Sequence, residues 1–431
     1  MARKMKDSGI EWIGEIPEGW TKNKVIRLFD TIGSGTTPKN ITSDFPVVNW
    51  IQSGDITGSF MPACKNVISA NLLSQYSALK VYPAPFIIIA MYGASVGNAS
   101  ISLIDGCVNQ ACCVLSSPSC NLHYAFYVIK SAQSYLVRKA VGGGQPNISQ
   151  ETIKQLWLPL PPLFTQDIIV RNLDATCSKI DDLLSSVHAS IEEYKKLKQA
   201  VITQAVTKGV RGEREMKDSG VEWVSYIPVD WNTIKLKYCT YIRARLGWRA
   251  LKADEYVESG FPFLSAFNIV NNALHFTNLN YINQFRYDES PEIQLKVGDV
   301  LLVKDGAGIG KCAIVENMPI PSTVNGSIAV ISSTSFITPK YLYYYFLSAM
   351  FQQHIDLLKD GMGVPHLFQS DLKEIKIAFP SKDEQKEIAD YLDAKCAEID
   401  RLIAKKEQLV KELESYKKSL IYEVVTGKRE V

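Results

Sequence analysis

The sequence predicts an α+β protein: two similar mixed α/β domains joined by two long antiparallel coiled-coil helices, with a pseudo-two-fold internal duplication. Three observations predict this fold class. They are two long heptad patterns, two copies of a sixteen-residue segment, and turn residues that recur between the halves. A chain of 431 residues that is 46% hydrophobic and 21% charged has ample material for two or three cored domains.

The heptad patterns are long enough to predict two coiled-coil helices. Apolar residues recur in alternating steps of four and three over about 40 residues, and the same series returns 219 residues later. The first seam consists of Leu173, Cys177, Ile180, Leu184, Val187, Ile191, Tyr194, Lys198, Val201 and Ala205. The second consists of Leu392, Cys396, Ile399, Ile403, Lys406, Val410, Leu413, Lys417, Leu420 and Val424.

The order of segments favours antiparallel pairing of these helices. Each would be about 60 Å long at 1.5 Å per residue. A compact domain cannot carry the chain back along such a length, so the second helix should run against the first. Lys198 and Lys417 occupy the same position in the two seams. We therefore expect that they are not both buried between the helices, and that they mark where the pair opens to water or meets a partner.

A second repeat lies outside the helices. Residues 5–20 read MKDSGIEWIGEIPEGW and residues 216–231 read MKDSGVEWVSYIPVDW, identical at ten of sixteen positions. Each copy predicts an extended arm with Asp-Ser-Gly and Ile-Pro turns. The paired indoles, Trp12 with Trp20 and Trp223 with Trp231, are predicted to pin each arm by packing.

Between each arm and its helix lies a domain rich in glycine and proline turns. The apolar patterns predict strands at 47–50, 86–91 and 99–103 with a helix at 123–138 in the first domain, and strands at 263–267, 300–303 and 328–331 with a helix at 339–359 in the second. Turn residues correspond between the domains: Gly93, Gly97, Asn109, Gly142, Gly144 and Pro146 match Gly306, Gly310, Asn325, Gly361, Gly363 and Pro365.

These patterns divide the chain into six segments. Pro161-Pro162 predicts the start of the first helix, and Ser381 with Glu384 predicts a capping box at the start of the second. The predicted segments are an arm at 1–20, a domain at 21–161, a helix at 162–210, a second arm at 211–231, a second domain at 232–380 and a second helix at 381–431.

Composition narrows the protein class. No run of about 18 apolar residues is present, and the first residues have no apolar segment of the kind found in secretory signals. Nine cysteines lack CxxC spacing, which is typical of free thiols in a reducing cytoplasm. We therefore expect a cytoplasmic protein without a membrane span.

Three motifs resemble enzyme motifs, but each is only a weak indication of an enzyme. The stretch 305–311, DGAGIGK, departs from a phosphate loop at Asp305 and Cys312, and its counterpart at 92–98 lacks the lysine. A structural turn is the favoured reading over nucleotide or S-adenosylmethionine binding. Leu160-Pro-Pro-Leu163 lacks the polar residue of amino-methylating enzymes, and Glu374-Ile-Lys376 has no counterpart 219 residues earlier. We therefore predict no catalytic residue, no metal site and no cofactor.

Basic and aromatic residues provide candidate DNA contacts. Residues 241–249, YIRARLGWR, form the most concentrated stretch, and arginine can hold phosphate or reach guanine. A solvated loop is the open alternative. Residues 21–161 carry 10 Lys and Arg against 5 Asp and Glu, whereas residues 231–380 carry 14 against 13. The candidates are Lys22, Lys24, Lys39, Arg243, Arg245, Trp248, Arg249, Lys304 and Lys311.

The ordered duplication, with Leu-Asp-x-x-Cys-x-x-Ile-Asp in both helices and Gly-x-Gly-x-Pro before the final strand of each domain, resembles the specificity subunit of Type I restriction-modification systems. The resemblance implies a non-catalytic subunit in which each domain reads one half of a bipartite site in double-stranded DNA. It also implies that the helices set the spacer and dock two adenine-N6 methyltransferase subunits, and that restriction/translocase subunits join the full complex.

Two other readings stay open at this point. One is a coiled-coil adaptor that does not bind DNA. The other is a self-sufficient DNA methyltransferase or nuclease that uses the glycine turn at Gly306. A steep fall of DNA affinity with salt would separate the leading reading from the adaptor, because phosphate contacts demand it.

Overall fold

The protein is described here from a computed structural model that covers residues 3–39, 41, 43–142, 146–244, 255–359 and 365–431. The chain forms two compact units. The first unit comprises Met1–Val187 and Gln408–Val431, and the second comprises His188–Glu407. Each long helix therefore contributes one part to each unit.

The first unit contains a β-hairpin, an α/β domain and the start of the first long helix. Its elements are β1 (Met5–Ile10), β2 (Gly14–Pro17), β3 (Thr21–Lys24), β4 (Phe29–Gly33), β5 (Val47–Ile51), β6 (Phe60–Met61), β7 (Asn66–Ser69), α1 (Leu72–Gln75), β8 (Phe86–Ala90), β9 (Ala99–Ser102), β10 (Cys107–Val108), β11 (Cys112–Pro118), α2 (Leu122–Ser131), α3 (Gln133–Arg138), α4 (Gln150–Lys154), β12 (Trp157–Leu160) and α5 (Leu163–Lys208).

The second unit repeats this order, from a hairpin to the second long helix. Its elements are β13 (Met216–Val221), β14 (Val224–Pro228), β15 (Asn232–Lys235), α6 (Leu236–Cys239), β16 (Thr240–Arg243), β17 (Phe261–Leu264), β18 (Ile269–Val270), β19 (Ala273–Leu274), β20 (Asn280–Ile282), α7 (Gln284–Asp288), β21 (Val300–Val303), β22 (Cys312–Ile314), β23 (Thr323–Val324), β24 (Ile328–Ser333), α8 (Pro339–Leu347), α9 (Ala349–Leu358), α10 (Gln369–Glu374), β25 (Lys376–Phe379) and α11 (Lys382–Val425).

The two domains share the order of their main strands, but the larger sheet has five strands in the first domain and four in the second. The first has a sheet of order β4-β11-β8-β9-β6 and a second sheet of order β10-β5-β7. The second has the corresponding orders β16-β24-β21-β22 and β20-β17-β23. Strands β8 and β21 are buried at every position. Their continuous apolar sequences are therefore explained by burial on both faces of the sheet.

The predicted strands at 47–50, 86–91, 99–103, 300–303 and 328–331 are confirmed as β5, β8, β9, β21 and β24. The strand predicted at 263–267 is wrong beyond Leu264. Residues 266–268 form a 3-10 turn in which Ser265 and Asn268 make a reciprocal capping box. These side chains satisfy backbone groups that a continued strand would otherwise pair.

The two predicted domain helices are each broken in two. The helix expected at 123–138 is interrupted at Ala132, between α2 and α3. The helix expected at 339–359 is interrupted at Ser348, which is extended (φ −63°, ψ 144°) and accepts a hydrogen bond from the Phe351 amide. A serine with that geometry is an N-cap, so it ends α8 and begins α9.

The two sequence repeats fold as equivalent β-hairpins, β1-β2 and β13-β14, with the same three outer strand pairs and a one-residue difference in register at the pair next to the turn. Within the first strand of each hairpin, where the pairing register shifts, an aspartate carboxylate accepts from a glycine amide at 2.8 Å, Asp7 from Gly9 and Asp218 from Gly220. Both glycines have φ +62°, a left-handed conformation that glycine adopts without strain. The predicted arms are thus hairpins rather than single extended segments. Of the paired indoles, Trp20 and Trp231 are fully buried.

The long helices are somewhat longer than expected. Helix α5 has 46 residues and α11 has 44, or about 69 and 66 Å at 1.5 Å per residue. Every residue of the two predicted seams is buried or half-buried. Within the second unit the two helices run antiparallel, because Tyr194 lies against Lys406 while Lys198 pairs with Asp400.

The first unit shows the same antiparallel arrangement. Lys417 near the end of α11 pairs with Asp181 on α5. Tyr124, from α2, donates to the Val425 carbonyl at the end of α11. The neighbouring Asn121 bonds Gln166 at the start of α5. The end of α11 therefore lies beside the start of α5.

The two seam lysines are only half-buried, in line with the expectation that they are not both buried between the helices. Each ammonium lies between the helices of its own unit in an ion pair: Lys198 is 2.7 Å from Asp400, and Lys417 is 2.7 Å from Asp181. Their side chains are only 21% and 17% exposed. A lysine can occupy a seam position when a partner helix supplies a carboxylate, and because the Asp400 and Asp181 side chains are 55% and 56% exposed, these ion pairs lie at positions that reach water.

Both helix starts lie where proline and capping residues predicted them. Helix α5 follows Pro161-Pro162, and α11 follows Ser381, whose Oγ accepts from the Glu384 amide at 3.4 Å. The other half of the predicted capping box is replaced. The Glu384 carboxylate is 1% exposed and accepts from Arg214 Nη2 at 2.7 Å, with Arg211 Nη1 at 3.7 Å. This carboxylate therefore joins the second hairpin to the start of α11.

Candidate nucleic-acid interface

In the first unit, loops that are distant in sequence are held together by backbone hydrogen bonds. The Gly93 amide donates to the Pro146 carbonyl at 3.0 Å, the Met91 amide to Ala111 at 2.8 Å, and the Ile148 amide to Met91 at 2.9 Å. A side-chain bond of 2.7 Å between Thr37 and Gln110 adds the loop after β4. We call this set the first loop cluster; it comprises residues 34–39, 91–97, 109–111 and 146–148.

The second unit builds the equivalent structure with the same bonds. The Gly306 amide donates to the Pro365 carbonyl at 3.0 Å, the Lys304 amide to Ser327 at 2.8 Å, and the Leu367 amide to Lys304 at 2.9 Å. These donors and acceptors correspond to those of the first unit in sequence. We call this set the second loop cluster; it comprises residues 304–311, 325–327 and 365–368. Rigid sheets thus present matching loops, the usual location of binding residues.

A close backbone approach fixes the loop after β4. A Cβ added to Gly35 would lie 1.7 Å from the Val108 carbonyl oxygen, so only glycine fits there. The Ser34 hydroxyl donates to the Cys112 carbonyl at 2.7 Å, and Tyr82 donates to the Ser34 carbonyl at 2.9 Å. The first half of this loop is therefore held against the sheet by three separate contacts.

Two predicted DNA-contact residues lie exposed in these clusters. Lys39 is at the end of the loop after β4, and its amide donates to the Tyr76 hydroxyl at 3.2 Å. Lys311 follows the glycine turn of the second loop cluster. Arg245, Trp248 and Arg249 lie outside the described residues.

Arg243 is held inside its domain. Its Nη2 donates to Asp299 at 2.8 Å and to Ser332 at 2.7 Å, and its Nη1 donates to two backbone carbonyls at 3.3 Å. Asp299 is buried, so the guanidinium neutralises an otherwise unpaired charge. Arg243 therefore anchors the strand that leads to residues 245–254, and we leave it out of the proposed contact surface.

Three further lysines have partners within their own units. Lys304 is 2.7 Å from Asp305, which also pairs with His366. Lys22 and Lys24 lie on β3, outside the first loop cluster, with their ammonium groups 5.2 and 5.3 Å from the centroid of the Trp157 ring. These two lysines form cation–π contacts that support the sheet β3-β12.

The glycine turn is structural, as predicted. Residues 306–308 form a 3-10 turn between the antiparallel strands β21 and β22, and residues 93–95 do the same between β8 and β9. A phosphate loop instead opens a helix whose N-terminus binds the phosphate. Glu374, from the Glu374-Ile-Lys376 motif, forms ion pairs with Lys235 and Lys237, both at 2.6 Å.

The nine cysteines are free thiols, as expected. Burial raises the pKa of Cys107 and Cys396 to about 11, and that of Cys113 and Cys239 to about 12, so these thiols stay protonated at neutral pH. Across the described ranges, no group of three or more His, Cys, Asp or Glu is placed to hold a metal ion. None of the helices within those ranges is both long and apolar enough to cross a bilayer.

Some residues of these surfaces were missed from the sequence. Tyr92 and Asp305 occupy the same position in the two loop clusters, as do Asn147 and His366. These residues could have been found by aligning the two halves of the sequence on their shared glycines and prolines. Such an alignment shows which loop positions differ between the two domains. Phe267, assigned to a strand, instead lies at the tip of a turn and is almost fully exposed.

Comparison with known proteins decides the family. The family described as "Type I restriction modification DNA specificity domain" matches the chain twice, over residues 17–193 and 228–413. The chain belongs to this family. Specificity subunits are non-catalytic components of Type I systems, in agreement with the expectation that this chain is not itself an enzyme.

Curated relatives and solved structures of this family resemble the specificity chain along most of its length. It is 28% identical to the Type I restriction enzyme MjaVIII specificity subunit of Methanocaldococcus jannaschii, over 71% of this chain and 69% of that protein. It is 26% identical to the putative MjaX specificity subunit of the same organism, over 96% and 95%. A chain from a structural study of a type I R-M system superposes with a TM-score of 0.72 at 15% identity, covering 95% and 98%.

Proposed function

We propose that this specificity subunit reads a bipartite DNA site, with one half-site read by each loop cluster. The observation that carries the proposal is the recurrence of the same three backbone bonds in both clusters beneath different outward side chains. Two domains with the same sheets but divergent loops are suited to recognise two different base sequences.

Charge supports contact with the DNA backbone. The first domain carries an excess of five basic residues, and Lys39 and Lys311 are exposed in the two clusters. If these lysines contact phosphates, the affinity of the complex for DNA should fall steeply with salt. An affinity independent of salt would favour a coiled-coil adaptor without DNA binding.

We further propose that α5 and α11 set the gap between half-sites and dock two methyltransferase subunits. Leu197 on α5 and Tyr416 on α11 are exposed apolar residues at positions 219 apart, one in each unit. Equivalent apolar positions suit two copies of one partner. Restriction/translocase subunits would complete the assembly, in the cytoplasm, and this chain would need no cofactor of its own.

The experiment is to express the chain with its methyltransferase and to sequence N6-modified adenines in the host genome. We expect two short half-sites separated by a gap of fixed length. Modification without any bipartite pattern would contradict the proposal. Methyl transfer by the purified chain alone would favour the self-sufficient enzyme.

A matched helix insertion tests whether the two long helices set the gap between the half-sites. Duplicating residues 184–190 and 403–409 adds one heptad to each helix at equivalent positions and keeps both seams in phase. The added rise is about 10 Å at 1.5 Å per residue, so the gap should lengthen by up to about 3 base pairs. The half-site letters should not change; altered letters with an unaltered gap would refute the role of the helices.

A further inference from the structure

Phe267 is the most exposed large apolar residue among those the structure describes. It is 91% exposed, and it lies on the 3-10 turn that follows β17. The Asn325 amide of the second loop cluster donates to the Leu264 carbonyl at 2.8 Å, just before this turn. The turn therefore borders the surface that we propose to face DNA.

The turn is rigid although its tip is exposed. The Asn268 side chain is buried and accepts from the Ser265 amide at 3.0 Å, while its own amide group donates to the Thr277 carbonyl at 3.2 Å. The Asn268 backbone amide donates to the Ser265 carbonyl at 2.9 Å. The backbone that carries Phe267 is thus fixed before any ligand arrives, which lowers the entropic cost of binding.

A basic residue flanks the same position. A Cβ added to Gly308 would lie 3.5 Å from Lys311 Cδ and 3.6 Å from Ala266 Cβ. Phe267 follows Ala266 directly, so the turn that carries Phe267 and the side chain of Lys311 both lie next to Gly308. A positive charge beside an aromatic side chain matches a DNA groove, where phosphates flank the apolar surfaces of the bases.

The first unit has the same turn without the ring. Its capping box is formed by Gln52 and Asp55, with the Gln52 amide donating to the Asp55 carboxylate at 2.9 Å. The position equivalent to Phe267 is Gly54, at the offset of 213 that also relates Gly306 to Gly93. The framework is thus kept while the tip differs, as expected for a residue that affects only one half-site.

We infer that Phe267 is a specificity-determining residue that makes an apolar contact with bases of the half-site read by the second unit, while Lys311 contacts the adjoining phosphate. This inference rests on the proposed function. Phe267 acts on sequence preference, and Lys311 acts on affinity for any DNA.

The test uses the full chain in complex with its methyltransferase. The probes are a duplex carrying the site found by sequencing modified adenines, and a duplex in which the half-site read by the second unit is scrambled. Phe267→Ala should weaken binding to the true site by about 10-fold, the size of one base contact, and leave binding to the scrambled duplex unchanged. Phe267→Leu, which keeps apolar bulk, should lose less.

Salt dependence separates the two residues. Lys311→Ala should weaken binding to both duplexes and reduce the slope of log affinity against log salt by about 1. Phe267→Ala should leave that slope unchanged. Phe336→Ala is the matched control, because Phe336 is 52% exposed in the same unit but contacts α11 through its carbonyl and Gln385.

The outcomes distinguish this inference from the proposed function. If the wild-type complex does not prefer the true site over the scrambled one, the proposed function fails. If it does and Phe267→Ala binds both duplexes as the wild type does, or loses affinity for both equally, the base contact is refuted. Melting temperatures of the variants should equal that of the wild type, because the replaced side chains are exposed.

Discussion

The two units share several buried polar contacts and differ in others, as well as in contacts near their surfaces. Tyr127 donates to Asp174 at 2.6 Å in the first, and Tyr344 donates to Asp393 at 2.6 Å in the second. Burial, followed by these carboxylates, raises the pKa of both phenols. A buried hydroxyl group without its acceptor would lower the stability of the fold, which explains why both units keep this pair.

The start of each long helix shows the same rule. Gln166 Nε2 donates to the Pro161 carbonyl at 2.9 Å, and Gln385 Nε2 donates to the Pro380 carbonyl at 3.1 Å. Both glutamines are buried, and each also accepts from the backbone of its own domain. The buried framework is therefore what a duplicated unit retains.

Differences between the units appear where a contact reaches solvent. Lys24 bonds the neutral amide of Gln155 in the first unit, whereas the equivalent Lys235 bonds the carboxylate of Glu374 in the second. Divergence at such positions changes charge without changing the fold. Substitutions at equivalent positions should consequently have equal effects where the two units share a contact and unequal effects where only one unit makes it.

The largest expected effect is at the hairpin of the second unit. Arg214→Ala leaves the buried Glu384 carboxylate with only the more distant Arg211 guanidinium. Breaking a buried ion pair is strongly destabilising, so the free energy of unfolding of the second unit should fall by about 3 kcal/mol. Chemical denaturation followed by circular dichroism measures this change.

The matched control for that variant is Arg3→Ala. Arg3 is the sequence equivalent of Arg214, but it is exposed and lies 5.5 Å from the centroid of the Trp20 ring. Its loss should cost less than about 1 kcal/mol. Equal costs for the two variants would show that the hairpins are attached in the same way, contrary to the contacts described above.

A middle-sized effect is expected at the two cross-helix ion pairs. Double-mutant cycles for Lys198 with Asp400, and for Lys417 with Asp181, should each give a coupling of about 0.5–1 kcal/mol. The two couplings should agree, because the distances and exposures match. A coupling measured in only one unit would break the equivalence of the helix pairs.

The smallest effect is a pH dependence specific to the second unit. Hydrogen bonds from Lys235 and Lys237 lower the pKa of Glu374 from 4.5 to about 2. Because the folded pKa is depressed, the carboxylate contributes stability above pH 4.5 that is lost as pH falls towards 2. The stability difference between wild type and Glu374→Gln should therefore be constant near neutral pH and shrink in acid.

Gln155→Glu provides the reciprocal control, because it places a carboxylate beside Lys24 in the first unit. That variant should gain stability at neutral pH and lose the gain in the same acid range. Denaturation curves collected between pH 3 and pH 7 measure both variants. A Glu374→Gln difference that grows in acid would contradict the assigned direction of the pKa.

Periodic and repeated features were predictable from the sequence, and contacts between distant segments were not. The heptad spacing identified both long helices, and the repeated sixteen-residue segment identified two equivalent arms, although it did not predict that each arm folds as a hairpin. The break at Ser348 and the turn at Ser265 were missed because single side chains capped the backbone there and overrode the apolar pattern.

The DNA-contact surface was predicted less well, because it too depends on contacts between segments that are distant in sequence. Arg243 was a DNA candidate by composition, yet its partner Asp299 is 56 residues away and not recognisable in advance. The loop clusters are held by bonds such as Gly306 to Pro365, which join separate turns. Only the offset between equivalent glycines and prolines hinted at this assembly.

Half-site reading by each unit is tested most directly by a chimera in which residues 21–161 replace residues 232–380, expressed with the methyltransferase. Sequencing of N6-modified adenines in that host should reveal the first half-site twice, in inverted orientation, with an unchanged gap. Continued modification of the original asymmetric site, or a pair of half-sites unrelated to the first, would contradict the assignment of one half-site to each unit.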